Sequence, residues 1–336
     1  MNPNPITLLA FLAMPMLAAQ DAAEPQKPVW QADFDVAAAA AKKAGKDLFV
    51  DFTGSDWCIW CKRLDAEVFE HDEFLDYAGK HLVLVSLDFP RSKEAKAKVP
   101  NPERNQELQQ QYGVGGFPTV LLMTPDGEVF GRTGYQEGGP AKYVESLETM
   151  RTEGKKTLQE VKDLVAKFES AEGPARAAAL ELAIERLATM QSDTIGVDVL
   201  ATVVEHGAES ADVALQERSI KALLASGQAS PSEQEKAMAL DPKNEKGLYE
   251  LVVDSKMHSV TDDASAKAFL ASLDDLVEFG AKDEKRFEAM LMNASRWSFG
   301  PLGNKEGAKK YAELLKEHAA DPEKYAQLFE QILGKG

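Results

Sequence analysis

The sequence predicts an α/β sandwich built on a mixed sheet, followed by an all-helical region, and three observations carry that expectation. Two short apolar runs, residues 48–53 and 82–88, are separated by a stretch of helical period, the pattern of parallel strands joined by a crossover helix. A third run at 119–123 is followed by Pro125-Asp126-Gly127 and a fourth at 128–132, which reads as a hairpin. Beyond Arg151 the strand signal stops and long helical stretches take over. At 336 residues the chain is long enough for two domains, each with its own core.

Each element has a local cause. Trp30 precedes a helix expected over 33–44: Asp33 can cap it, the alanine run propagates it and Gly45 ends it. The strand at 48–53 stops at the Thr53-Gly54-Ser55-Asp56 turn. The helix that follows the cysteines runs to about residue 70, with a second piece around 73–79, and Cys61, Leu64 and Val68 share one face. Residues 89–104 are charged and carry prolines, hence a loop, and a short helix then reaches about residue 112. After the hairpin, Pro140 opens a closing helix to about residue 150. The predicted domains are therefore 29–150 and 151–336.

In the second region, helices are expected at 157–170, 174–190, 195–205, 211–225, 232–239, 245–255, 264–280, 285–292 and 308–332. The run MALDPKNEKGLYEL looks like the helix-turn-helix junction of a tetratricopeptide repeat, with a fainter echo in KEHAADPEKYAQLF. The regular period of about 34 residues does not emerge, so an irregular helical bundle stands as the competing arrangement.

The net charge of −17 argues against nucleic acid as a partner and offers no polybasic attraction to anionic lipid. The apolar run at 6–19 is 14 residues long and broken by Pro15. That is short for a bilayer span but suits a secretory signal, although residues 1–5 lack Lys and Arg. Cleavage is expected before Gln20, with a polar linker over 20–28. No later stretch is long enough to span a membrane, so a soluble, exported mature protein, periplasmic or extracellular, is expected.

Cys58 and Cys61 are the only cysteines. In an exported chain a cysteine pair is usually a structural disulfide, but one that closes so short a loop removes little chain entropy. Cys-x-x-Cys where a strand hands over to a helix is instead a redox motif. A zinc site would need a second cysteine pair or spaced histidines, haem attachment would need His where Lys62 stands, and an iron–sulfur cluster lacks ligands. No metal is expected, and no cofactor beyond the redox-active disulfide itself.

At this point a resemblance enters. Trp30, the run LFVDFTGS, the motif DWCIWCK, Glu67-Val68-Phe69, Gly116-Phe117-Pro118-Thr119 and the closing DGEVFGRTGY resemble the exported thioredoxin-like branch of thioredoxin-fold proteins, related to periplasmic thiol-disulfide interchange domains. The resemblance covers residues 29–150 and says nothing of 151–336. It implies that Cys58 is an exposed attacking thiol and Cys61 a buried resolving one. It implies a cis Pro118, after Phe117, that presents backbone to the substrate, and a buried Asp51 that relays a proton to the resolving thiol. Seven residues separate Asp51 from Cys58, one more than in thioredoxins, which bears on where that carboxylate points. Ile59-Trp60 replaces the Gly-Pro of thioredoxin, so the potential cannot be carried over.

The chemistry follows from the thiolate. A helix that begins at Cys58 offers unpaired N–H groups and a positive end to an anion there. Trp57 and Trp60 are expected to form an apolar rim for unfolded or extended protein. The resemblance thus implies a thiol-disulfide oxidoreductase with a reductase bias, protein thiols or disulfides as substrates and a membrane electron donor as an admissible partner. The alternative is a binding, scaffold or chaperone-like protein whose work lies in the helical half.

Overall fold

The computed structural model describes residues 28–334. The signal sequence expected at 1–19, and all but the last residue of the expected linker, lie outside the described residues. The chain divides into two compact units at Glu148/Thr149, with Val129–Gly131 grouped with the second.

The first unit begins with α1 (Phe34–Ala44), where Asp33 accepts a hydrogen bond from the Val36 N–H and Gly45 closes the helix at φ 63°, a conformation glycine adopts without strain. Strand β1 (Asp47–Thr53) is buried at every position, as a central strand covered on both faces must be. It passes through the Cys-x-x-Cys turn into α2 (Ile59–Leu64). The helix expected to run on to about residue 70 changes character first: Asp65–Phe69 form a π-helical turn, and α3 (Asp72–His81) follows as a separate helix. The segment is too short for periodicity to reveal such a turn, although its one extra residue rotates the face that follows by roughly 100°. Strand β2 (Leu82–Asp88) comes next. The loop expected over 89–104 contains a single helical turn, α4 (Lys93–Lys96), and the start of α5 (Pro102–Gln111). Strands β3 (Thr119–Met123) and β4 (Val129–Thr133) and helix α6 (Gly139–Thr149) complete it.

The sheet order is β2-β1-β3-β4. β1 is parallel to β2 and antiparallel to β3, in a register that sets Asp51 opposite Ser86 on one side and Val120 on the other. Gln31 bridges the outer edge of β2 at Val85. Trp30, Phe49, Phe69, Phe74 and Tyr143 meet in edge-to-face and tilted pairs beneath the sheet. Each fully buried ring contributes about 1.5–3 kcal/mol, and this cluster fixes the helix that follows the cysteines through Phe69.

The second unit is helical. Its elements are α7 (Lys155–Ser170), α8 (Gly173–Leu187), α9 (Val197–Ala208), α10 (Val213–Ala225), α11 (Pro231–Leu240), α12 (Leu248–His258), α13 (Asp263–Phe279), α14 (Glu284–Phe299), α15 (Lys305–His318) and α16 (Ala326–Leu333). A π-helical segment, Met150–Gly154, precedes α7. The single helix expected over 308–332 is in fact two, parted by the 3-10 turn Pro322–Tyr325. Pro322 has no N–H to donate and disfavours helical backbone at the residue before it. From α7 to α16 each helix packs on the next, and often on the next but one, in chain order. At the MALDPKNEKGLYEL junction three buried polar groups act together. Asp241 accepts from the Lys246 and Leu248 N–H groups, Asn244 donates to Gly280 O and accepts from Glu250 N–H, and Glu250 accepts from the Lys282 and Asp283 N–H groups.

Candidate active site

Gly54 ends the strand and lets the Trp57 ring lie against its backbone; a Cβ there would stand 2.6 Å from the ring. The Trp57 and Cys58 N–H groups both bond to Gly54 O, so the chain turns tightly into α2. Cys58 is the cap of that helix: its Sγ accepts a hydrogen bond from the Cys61 N–H at 3.1 Å. The two cysteines are joined in a disulfide with Cα atoms 5.3 Å apart. Cys58 is 4% exposed and Cys61 2%. The expectation that Cys58 is exposed is therefore corrected for the oxidised form. A side chain that caps its own helix points at the first turn, and the disulfide holds it there. Exposure lies instead in its neighbours, Trp57 (37%), Ile59 (68%) and Trp60 (47%).

Two aromatic flanks border the pair. On one, the Trp57 indole N–H donates to Phe89 O at 2.9 Å, its ring meets Phe117 edge-on, and the Arg91 guanidinium lies over it, 3.9 Å from the ring centroid. Phe117 stacks on Phe89, which stacks on Phe52 of β1. On the other, Trp60 packs against Tyr135, and the Arg63 guanidinium lies over both rings. Arg63 and the Tyr135 hydroxyl both donate to Glu67. Those hydrogen bonds hold the Glu67 carboxyl below its usual range.

The Phe117–Pro118 peptide bond is cis, and both residues are half-buried. Asp56 fastens the loop that follows β2: its carboxylate accepts from the Arg91 N–H and, at 2.7 Å, from the Ser92 N–H. These bonds lower its pKa to about 2. Ser55 donates through both N–H and Oγ to Asp88.

Asp51 is buried and its Oδ1 has no hydrogen-bond partner. Burial pushes its carboxyl well above the usual range, and the nearby Asp65 and Asp88 carboxylates push it the same way. Asp65, half-buried in the π turn, is likewise raised, chiefly by burial. Burial and then Asp51 raise the Tyr143 phenol, whose hydroxyl is also unpartnered. Asp51 thus belongs to an acidic group in which burial and neighbouring carboxylates both favour its protonated form. Among the described residues no cluster of three or more His, Cys, Asp or Glu is arranged to hold a metal ion.

Sequence reasoning singled out Cys58, Cys61, Asp51, Trp57, Trp60, Phe117 and Pro118, and the fold sets the aromatic ones and the cysteines side by side. It passed over Arg63, Phe89, Arg91 and Tyr135, and it read Asp56 as a turn residue. Tyr135 closes the quoted DGEVFGRTGY run, but only the tertiary structure pairs it with Trp60.

The family described as a thioredoxin-like domain matches residues 34–151. Over 111 residues the chain is 38% identical to the disulfide bond reductase DsbH of Chlamydia pneumoniae, covering 32% of this chain and 64% of that protein. Over 118 residues it is 27% identical to the thioredoxin-related protein DsbJ of the same organism, covering 35% of this chain and 33% of that one. The chain thus spans less than two thirds of the length of these relatives. A solved structure of a DsbH oxidoreductase aligns at 30% identity with a TM-score of 0.33, over 43% of this chain and 94% of that one. Residues 34–151 are a thioredoxin-like domain.

Proposed function

We propose that this chain is a thiol-disulfide oxidoreductase that reduces protein disulfides through Cys58 and Cys61. The observation that carries the reading is the Cys61 N–H bonded to Cys58 Sγ at a helix start, beside exposed Trp57, Ile59 and Trp60. In the reduced form the same N–H and the helix end stabilise a Cys58 thiolate. That thiolate attacks a substrate disulfide, which breaks; one substrate sulfur leaves as thiolate and the other is bound to Cys58. The Cys61 thiolate then attacks Cys58 Sγ, closes the Cys58–Cys61 disulfide and releases the second substrate sulfur. Two electrons have passed to the substrate, and an external dithiol donor, membrane-borne or soluble, restores the pair. Asp51, whose pKa is raised by burial, can supply and then take back the proton that Cys61 exchanges.

The names of the relatives, a disulfide bond reductase among them, support the direction of flow. The apolar run at 6–19 supports export, and among the described residues no helix is long and apolar enough to cross a membrane. The domain division at about residue 150 gives the helical unit a separate task, recruiting or positioning the partner, in a stack related to helical repeats.

The test is equilibration of the purified protein in graded glutathione buffers, with Trp57 and Trp60 fluorescence as readout. A potential near about −270 mV supports a reductase, and one near about −120 mV overturns the direction in favour of disulfide donation. Cys58→Ser abolishes dithiol-driven reduction of a protein disulfide, whereas Cys61→Ser accumulates mixed disulfides; full turnover by Cys58→Ser would overturn the redox reading.

A second reading, a scaffold or holding protein working through the helical unit, is favoured by Leu182, Val199 and Val213, large apolar residues left exposed on α8, α9 and the start of α10. Rescue of a deletion strain by the full-length Cys58→Ser/Cys61→Ser double variant would select it.

A further inference from the structure

The two aromatic flanks of the disulfide differ in charge. On the Trp60 side Arg63 is paired with Glu67 at 2.9 Å, and Glu137 is close enough to act on the same guanidinium, so that flank is anionic on balance. On the Trp57 side the Arg91 guanidinium lies over the indole, 3.9 Å from its centroid, and has no ion pair among the described residues. Lys62 is the second cation there, with its Nζ bonded to the Asp56 backbone carbonyl at 2.9 Å rather than to a carboxylate. Both acids fastened to this turn are engaged elsewhere: Asp56 accepts from the Arg91 and Ser92 N–H groups, and Asp88 accepts from the Ser55 N–H and Oγ. In a chain of net charge −17, a guanidinium without an ion pair among the described residues therefore stands over the residue before Cys58.

Arg91 is held where a substrate must pass. Its own N–H is tied to Asp56, two residues before Cys58, and its guanidinium is fixed by cation–π contact with Trp57, one residue before it. A guanidinium with its plane on an aromatic ring keeps its edge N–H groups free for a carboxylate. The Trp60 flank offers no such group, because Arg63 is already bonded to Glu67.

We propose that Arg91 is a specificity-determining residue that selects substrate segments carrying a carboxylate beside the reacting cysteine, bound with that carboxylate over Trp57. The anionic Trp60 flank opposes the reverse placement, so the segment is oriented as well as selected. The inference rests on the thiol-exchange reading above and adds to it a substrate class. The redox step is unchanged: the reduced Cys58–Cys61 dithiol becomes a disulfide as one peptide disulfide becomes two thiols.

The test uses the full chain, pre-reduced and freed of reductant, in single-turnover oxidation by symmetric peptide disulfides. Each peptide has one cysteine and carries Glu, Gln or Lys two residues to either side of it. For the unmodified protein the rate is expected to fall from Glu to Gln to Lys, by about tenfold overall at low salt, since each exposed charge contact is worth about 0–1 kcal/mol and the comparison spans attraction and repulsion. High salt should compress the ratio. Arg91→Lys should keep the order, Arg91→Gln should bring the Glu-to-Lys ratio within about twofold, and Arg91→Glu should invert it. The ratio within each variant is the readout, so a general loss of rate through Trp57 does not mimic the effect. An unaltered Glu preference in Arg91→Gln, or no preference in the unmodified protein, would overturn the assignment and leave the thiol chemistry standing. No reaction with any peptide would overturn both.

Discussion

Gly134 stands so close to Pro118 that a Cβ on it would lie 2.8 Å from the Pro118 carbonyl oxygen. The residue with the cis peptide bond before it, and the strand end that backs it, are therefore in backbone-to-backbone contact, which only glycine permits. Gly134→Ala should force the two segments apart and destabilise the protein by about 1–3 kcal/mol, with slower thiol exchange as Pro118 moves. Chemical denaturation of the oxidised protein measures the first effect. A midpoint equal to that of the unmodified chain would refute the contact.

Asp51 gives a prediction with a definite sign. Its folded pKa is raised above the unfolded value by burial, then by Asp65 and Asp88. The folded state is therefore penalised for its ionisation: stability is intact below the unfolded pKa and is lost as pH rises toward the folded value. Asp51→Asn should match the unmodified protein at pH 3.5 and exceed it in thermal stability at higher pH, with the gap widening until the folded pKa is passed. A gap that widens toward acid would show that the carboxylate is stabilised rather than desolvated. In rapid-reaction thiol exchange the same variant should slow release of the mixed disulfide formed on Cys58, because the proton exchanged with Cys61 has lost its carrier.

Asp56 has the opposite sign. Backbone N–H groups of Ser92 and Arg91 hold its pKa at about 2, below the unfolded value, so its contribution is present above the unfolded pKa and fades as pH falls toward 2. Asp56→Ala should release the loop after β2, and amide exchange at Arg91 and Ser92 should accelerate at pH 7. The difference between the unmodified protein and the variant should shrink as pH falls through about 2.

Legibility in the sequence followed the range of the interactions involved. Asp33, Gly45, the hairpin at Pro125-Asp126-Gly127 and the apolar runs act on residues a few positions away, and β2 and β3 appear at the predicted limits. The cysteine pair was legible for the same reason: its meaning lies in a four-residue motif at a strand end. What escaped depends on contacts across the fold. The π turn at Asp65–Phe69 follows from packing of Phe69 on Trp30, Phe49 and Tyr143. The burial of Cys58 follows from its capping bond, and the roles of Arg91 and Tyr135 from partners 34 and 75 residues away, at Trp57 and Trp60. Those distances in sequence leave no local signature.

The helical unit turns on Asn244 and Glu250. Asn244 sits at φ 55°, uncommon for any residue but glycine and best tolerated by asparagine. Its side chain bridges two segments, donating to Gly280 O at 2.9 Å and accepting from Glu250 N–H at 3.0 Å. Glu250, 1% exposed, in turn caps the chain ahead of α14 through the Lys282 and Asp283 N–H groups, with Arg286 at 3.9 Å. Asn244→Ala loses both bonds and the backbone preference and should cost about 2–4 kcal/mol, whereas Asn244→Gly restores the preference alone and should recover about 1 kcal/mol. Glu250→Ala leaves the Lys282 and Asp283 N–H groups without their acceptor, while Arg286 keeps Asp254 and Asp283, and should cost about 2–3 kcal/mol. Because the Asn244 and Glu250 side chains tether the same segment, at Gly280 and at Lys282 and Asp283, the Asn244→Ala/Glu250→Ala double variant should lose less than the sum of the two, by at least about 0.5 kcal/mol. Denaturant titration of the four proteins followed by far-ultraviolet circular dichroism measures this coupling, and strict additivity would mean that the two residues act independently.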